Sequence, residues 1–245
     1  MARKSIFFPF IAALCLWATP PAAHAQQAPT NPAAQQQPES DPLAWFNEPM
    51  FTFNRKLDDY VVHPLGKGWA TVAPKPARQS VRRFFDNANV IPRFANNLFQ
   101  LRMVEAGTEV SRFLINSTVG VAGFFDPADE WFGLKQHNND FGLTLGRYGV
   151  GEGAYLVLPF FGPSNVRDSV GLAADGAMNP MSYLLPLYIS MPSRAGAAAA
   201  DAVNYRSLNL TLFEDVDRYA VDLYGAVQDG YLQRRRKFVA EGYEF

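Results

Sequence analysis

A chain of 245 residues with 22 Lys and Arg against 23 Asp and Glu carries a formal net charge of −1. That balance speaks against a general phosphate-backbone binder, and so against nucleic acid as a partner. Its one cysteine, Cys15, excludes an internal disulfide and a multi-cysteine metal site, while 14% aromatic residues, 20 of them Phe, leave much apolar surface to accommodate.

Residues 1–25, "MARKSIFFPFIAALCLWATPPAAHA", read as a cleaved signal peptide. A basic start (Arg3, Lys4) precedes an apolar middle and a small-x-small site, Ala23-His24-Ala25. The apolar stretch contains Pro9, Pro20 and Pro21 and falls short of the ~20 residues a span needs. Without Arg3 and Lys4 the exported chain has 20 basic against 23 acidic residues, a net of −3, and no thiol. Residues 26–40, rich in Gln and Pro, read as a disordered linker. Residues 41–245 are then enough for one domain with a sizeable core.

That domain is expected to be mainly α. Asp41-Pro42 starts a helix as cap and first-turn proline. Leu43, Phe46, Met50, Phe53, Leu57 and Val61 then draw one apolar stripe. Pro49 lies within the stripe and predicts a kink or break. A short helix is expected over "PARQSVRRFFDNA". From Leu101 to Ser117 another puts Met103, Ala106, Val110, Phe113 and Leu114 opposite Arg102, Glu105, Glu109 and Arg112. A last helix is expected from Asp215 to about Ala240, aligning Val216, Tyr219, Leu223, Val227 and Tyr231. Prolines between these segments predict many short helices at angles to one another. The longest greasy pieces after the signal, "AYLVLPFFG" and "PMSYLLPLYISMP", are both broken by proline, which excludes a simple transmembrane helix.

Chemistry is sparse. In "GRYGVGEGAYLVLPFFGPSNVRD", glycines fall at Gly146, Gly149, Gly151 and Gly153. A dinucleotide loop needs a helix after its glycines; here β-formers and Pro159 follow. The segment reads instead as a hinge at Gly149, Gly151 and Gly153 beside an apolar flap carrying Tyr155, Leu158 and Phe160, or as a tight turn under a core strand. Ser164 lacks the second glycine of a nucleophile elbow. His63 precedes a proline, and His137 with Asp140 sits among turn residues. Asp58 and Asp59 point apart on a helix, while Asp126, Asp129 and Glu130 read as helix-capping acids. No catalytic set, metal site or cofactor site assembles. Arg234, Arg235, Arg236 and Lys237 near the end of the last helix read as a solvated face or as a contact for anionic lipid headgroups.

The blocks "DPLAWFNEPMFTFN", "RFLINSTVGVAGFFDPA" and "FGLTLGRYGVGEGAYLVLPFFGPSNVRD" resemble, in order, signature blocks of the VacJ/MlaA family, from Asp41 to Asp168. Beyond Asp168 the likeness is looser. The resemblance implies a ring-like assembly of short, proline-punctuated helices around an amphipathic channel, seated at the periplasmic face of a Gram-negative outer membrane. It implies removal of mislocalised phospholipids from the outer leaflet and their passage to a soluble periplasmic lipid carrier and on to an inner-membrane transporter. Trimeric porins are the expected associates, with no cofactor and no covalent chemistry. Phe46, Met50, Phe53 and Asn54 lie where the family's signature helix contributes to the ring. Many members are lipoproteins, but Leu14 precedes Cys15 where a small residue is needed, so the chain is expected to lack a lipid anchor. A scaffold bound to porins without transport, and a lipid-hydrolysing enzyme, are the competing readings.

Overall fold

A computed structural model describes residues 41–178 and 187–241, with side chains over 41–178 and 195–240. The expected signal and linker, and part of the second greasy stretch (180–186), lie outside the described residues. The described residues belong to one compact unit, Pro38–Phe245. In chain order they form α1 (Ala44–Leu57), a π-helical turn (Asp58–Val62), α2 (His63–Val72), α3 (Lys75–Ala88), α4 (Val90–Phe99), α5 (Met103–Thr118), α6 (Pro127–Phe132) and α7 (Phe141–Arg147). An antiparallel hairpin follows, β1 (Tyr155–Leu158) with β2 (Gly162–Asn165), then α8 (Val166–Met178), α9 (Leu187–Leu208), α10 (Leu210–Tyr219) and α11 (Leu223–Glu241). The architecture is mainly α, as expected, and among the described residues no helix is long and apolar enough to cross a membrane.

Local chemistry sets the ends of these helices. Asp41 accepts from the Leu43 N–H ahead of α1. Asp126 and Asp140 cap α6 and α7 by accepting from Asp129 N and Leu143 N. Pro127 stands at the start of α6 and Gly133, at φ +64°, ends it. Two expectations need correction. α1 runs through Pro49 without a break. The irregularity lies further on, in the π turn directly before Pro64, where the proline ring crowds the carbonyl of residue 60 and a wider turn relieves it. The single helix expected over 215–240 is two: Ala220 is extended, and Asp222 caps α11 by accepting from Gly225 N.

The larger departure concerns what is inside. α5 has the expected two faces, but Glu109, Arg112 and Asn116 are buried while Met103, Val110, Phe113 and Leu114 are exposed. α4 repeats the inversion, burying Arg93, Asn96 and Asn97 and exposing Ile91 and Phe99. Buried charge is tolerable only when paired and hydrogen-bonded, and here it is. Arg93 Nε meets Glu109 Oε2 at 2.7 Å, Glu109 Oε1 accepts from His137 N, and Arg112 pairs with Asp126 at 2.9 Å. Asn116 donates to Asp126 and accepts from Ala128 N. A cluster of buried apolar side chains exists elsewhere, where Tyr155, Val157 and Leu232 bring β1 and α11 together against Met50, Phe51, Tyr224 and Tyr231.

Candidate functional site

Three features are built on this frame. The first is the hairpin and its attachment to α1. Asn47 and Asn54, seven residues apart, stand on one face of α1 two turns from each other. Asn47 accepts from Val157 N at 2.8 Å and donates to Tyr155 O at 3.0 Å. Asn54 accepts from Phe160 N at 2.7 Å and donates to Leu158 O at 2.9 Å. Each amide thus takes up one backbone C=O and the N–H two residues further on, so α1 covers the outer edge of β1 and the turn that follows it. Because Val157 gives its N–H to Asn47, Pro163 opposite it in β2 costs the ladder no bond. At the turn, Phe160 sits at φ +68°, an uncommon backbone state for a bulky residue. Its ring lies edge-on to Phe53 at 5.2 Å, and Phe53, Phe160 and Phe161 are all exposed.

The glycine segment leads into this hairpin. Gly149 (φ +86°) and Gly153 (φ +69°) use the backbone freedom of glycine, and a Cβ at Gly153 would press on Val166 at 3.0 Å. Gly151 has no positive φ, and open space surrounds its missing side chain. Tyr155 and Leu158 form the two ends of β1, with Tyr155 buried in the apolar cluster.

The second feature is a cavity of about 420 Å³. Asp86 of α3 lines it, with Asn89, and with Pro92 and Arg93 of α4. Asn138, Asn139 and Asp140, Asp175 of α8, and Tyr231, Arg234, Arg235 and Phe238 of α11 complete the wall. Arg235 bridges two elements, meeting Asp140 Oδ2 at 2.6 Å and Asp168 Oδ2 at 2.7 Å. Burial pushes the Asp168 carboxyl up, but Arg235, with Tyr231 and Arg167, outweighs that and holds it below the usual carboxylate range. Asp175 makes no ion pair among the described residues, and Arg235 acts on it only at a distance. Burial pushes it up to about 6 despite hydrogen bonds from Phe141 N and Asn96.

The third feature is the exterior. Val104 is 80% exposed, Trp131 66% and Leu114 57%, with Phe125, Phe132 and Val121 also outward. These side chains project outward from α5, from the α5–α6 connection and from α6.

The residues singled out in the sequence distribute unevenly over these features. Met50 packs against the apolar cluster, Phe46 lies edge-on to Trp45, and Phe53 and Asn54 hold the hairpin turn. None of the four lines the cavity. Of the basic run, Arg235 is buried in its acid bridge, a correction to its expected headgroup contact, because Asp140 and Asp168 already occupy its guanidinium. Arg236 pairs with Glu152, and Arg234 lines the cavity. Ser164 contacts Ser169, whereas His137 lies 3.8 Å from Glu109 and His63 3.8 Å from Glu214. Asn47, Asn96, Asn139 and Asp175 were not legible as site residues. Only Asn96 left a local signal, as part of the run Arg93, Asn96, Asn97, a narrow polar stripe on an otherwise apolar helix.

Comparison with known proteins gives this geometry a context. The family model described as MlaA lipoprotein matches residues 39–238. The Intermembrane phospholipid transport system lipoprotein MlaA of Escherichia coli (strain K12) is 34% identical over 212 residues, covering 85% of this chain and 82% of that protein. The protein of the same name from Haemophilus influenzae is 32% identical over 219 residues, covering 88% and 85%. A solved structure described as "Structural basis for maintenance of bacterial outer membrane lipid asymmetry" superposes with a TM-score of 0.67 at 29% identity, covering 82% of this chain and all of that one. The lipoprotein description of the family and of these relatives overturns the expectation that this chain lacks a lipid anchor. Cys15 is the one thiol in the sequence able to carry one.

Proposed function

From membership of the MlaA lipoprotein family, to which this chain belongs, we propose that it is the outer-membrane component of an intermembrane phospholipid transport system. In this reading it removes mislocalised phospholipids from the outer leaflet and hands them to a soluble periplasmic carrier, which maintains lipid asymmetry. Trimeric porins associate with it in the membrane. The observation that carries the reading is the inversion of polarity: paired charges and asparagines inside, Val, Leu, Phe and Trp outside. A helical exterior of that composition is stable against acyl chains. A polar interior lowers the cost of moving a charged headgroup across an apolar layer, which is otherwise several kcal/mol.

The ring and channel of the family supply the path, and the helix that carries Phe46, Met50, Phe53 and Asn54 forms part of its wall through the hairpin it holds. Gly149 and Gly153 let that hairpin swing while Asn54 fixes its tip. Arg234 and Lys237 face the headgroup region. The competing scaffold, bound to porins without transport, shares the apolar exterior but needs no polar cavity. Outer-leaflet phospholipid in a strain lacking the protein separates the two. Its accumulation, reversed by the wild-type chain and not by one with the cavity charges removed, supports transport. Full reversal by the cavity variant supports the scaffold.

A further inference from the structure

Charges around the cavity can be accounted for one by one. Arg93 is spent on Glu109, Arg235 on Asp140 and Asp168, and Asp86 on Arg82 at 3.0 Å. Two groups remain. Arg234 makes no hydrogen bond or ion pair with the described residues. Asp175 has neutral donors only, Asn96 Nδ2 at 2.7 Å and Phe141 N at 3.1 Å, and a carboxylate accepts at about four lone-pair sites. Among the described residues, one cation and one carboxylate without an ion-pair partner therefore line the same polar space.

We propose, resting on the lipid-transport reading above, that this cavity receives the zwitterionic phosphate–ammonium headgroup of a phospholipid, with the phosphate on Arg234 and the ammonium on Asp175. A guanidinium offers a planar donor fork to phosphate oxygens, and a primary ammonium donates to carboxylates. A headgroup with phosphate but no ammonium satisfies Arg234 and leaves Asp175 without a counter-ion in contact, its only cation being Arg235 at a distance and already paired with Asp140 and Asp168. Size agrees: about 420 Å³ is at the small end of ligand clefts, roughly 300–1,000 Å³, enough for a headgroup and too small for two acyl chains. Pro92 and Phe238 are the apolar part of the lining, so the chains stay outside, against the apolar exterior.

The test uses the full chain purified in detergent after exchange into micelles with equal amounts of phosphatidylethanolamine and phosphatidylglycerol, with retained lipid read by native mass spectrometry. Wild type should retain the ethanolamine lipid in preference. Asp175→Asn should shift the ratio toward phosphatidylglycerol by roughly tenfold, the scale of one charge-assisted contact, and Arg234→Gln should lower retention of both. Because burial disfavours the ionised Asp175, the Asn variant should fold at least as well, and a thermal midpoint confirms it. Lipid retained without headgroup preference, or a preference that survives both substitutions, overturns the inference and leaves transport standing. No lipid retained at all overturns both. Glycerophosphoethanolamine, the headgroup without chains, should compete weakly; competition as strong as the lipid's own points to a soluble ligand and overturns the lipid assignment.

Discussion

The interior between α4, α5 and α6 and the interior between α1, β1 and α11 are held by opposite means. The first is Arg93, Glu109, Arg112, Asn116 and Asp126 in mutual ion pairs and hydrogen bonds. The second is Tyr155, Val157 and Leu232, packed with aromatic neighbours. The first backs onto helices whose outer faces are apolar: Val104 and Leu114 on α5, Trp131 and Phe132 on α6. Where the surroundings are apolar, exterior burial gives the interior little hydrophobic advantage, and polar contacts acquire the specifying role. The difference teaches that one chain can carry a core held by apolar packing and a core held by polar pairing side by side.

Breaking the polar core should have the largest effect. Glu109→Leu leaves Arg93 buried without a counter-charge, and the expected loss is about 3–5 kcal/mol. The double variant Arg93→Met/Glu109→Leu should recover most of it, though His137 N still loses its acceptor. Chemical denaturation in detergent measures both; equal losses in single and double variants would contradict the coupling. In the apolar cluster, Val157→Ala should cost about 2 kcal/mol through lost burial and a residual void. No such rescue by pairing is available there.

Finer substitutions sharpen the contrast between hinge and support. Gly149→Ala should cost about 1–2 kcal/mol because φ is +86°, whereas Gly151→Ala, with open space and no positive φ, should cost nothing measurable. If the hairpin moves during transport, Gly149→Ala also raises outer-leaflet phospholipid at unchanged protein level. Normal transport in that variant removes the hinge role. A pH-dependent effect, at the lower end of that for Gly149→Ala, concerns Asp175, whose folded pKa of about 6 lies above the ordinary carboxylate value of 3.8. The native state therefore binds more protons than the unfolded chain between those values, and stability gained from this group grows as pH falls through 6 and is lost as pH rises. Wild type should gain about 1 kcal/mol on Asp175→Asn between pH 7 and pH 5. No gain would place Asp175 in contact with water.

The sequence made much of the helical frame legible, because 3.6-residue periodicity and proline spacing are local properties. α3 and α5 fall where their patterns place them. The orientation of α5 did not follow. Periodicity separates two faces, but which one turns inward depends on what surrounds the helix. The break at Ala220 was hidden because Val216, Tyr219 and Leu223 keep helical spacing across it, although Asp222 three residues before Gly225 is a cap pattern. The site was less legible than the fold. Asn47 and Asn54 work through β1 more than a hundred residues away, and Asp175 reaches Asn96 across 79 residues. Arg234 and Arg235 are neighbours in one basic run and both line the cavity, and only the packing of α11 tells the exposed cation from the one buried in its acid bridge.

Lipid transport by this protein requires an exterior that faces acyl chains and an interior that does not. Tryptophan fluorescence in bilayers containing lipids brominated along the acyl chain tests this most directly. It compares Trp131, 66% exposed on α6, with Trp69, whose indole N–H donates to Asn204 at 2.9 Å, each kept as the sole tryptophan with Phe at the other positions. Strong bromine quenching of Trp131 and weak quenching of Trp69 is the predicted result. A Trp131 signal quenched by aqueous acrylamide and untouched by bromine would contradict it.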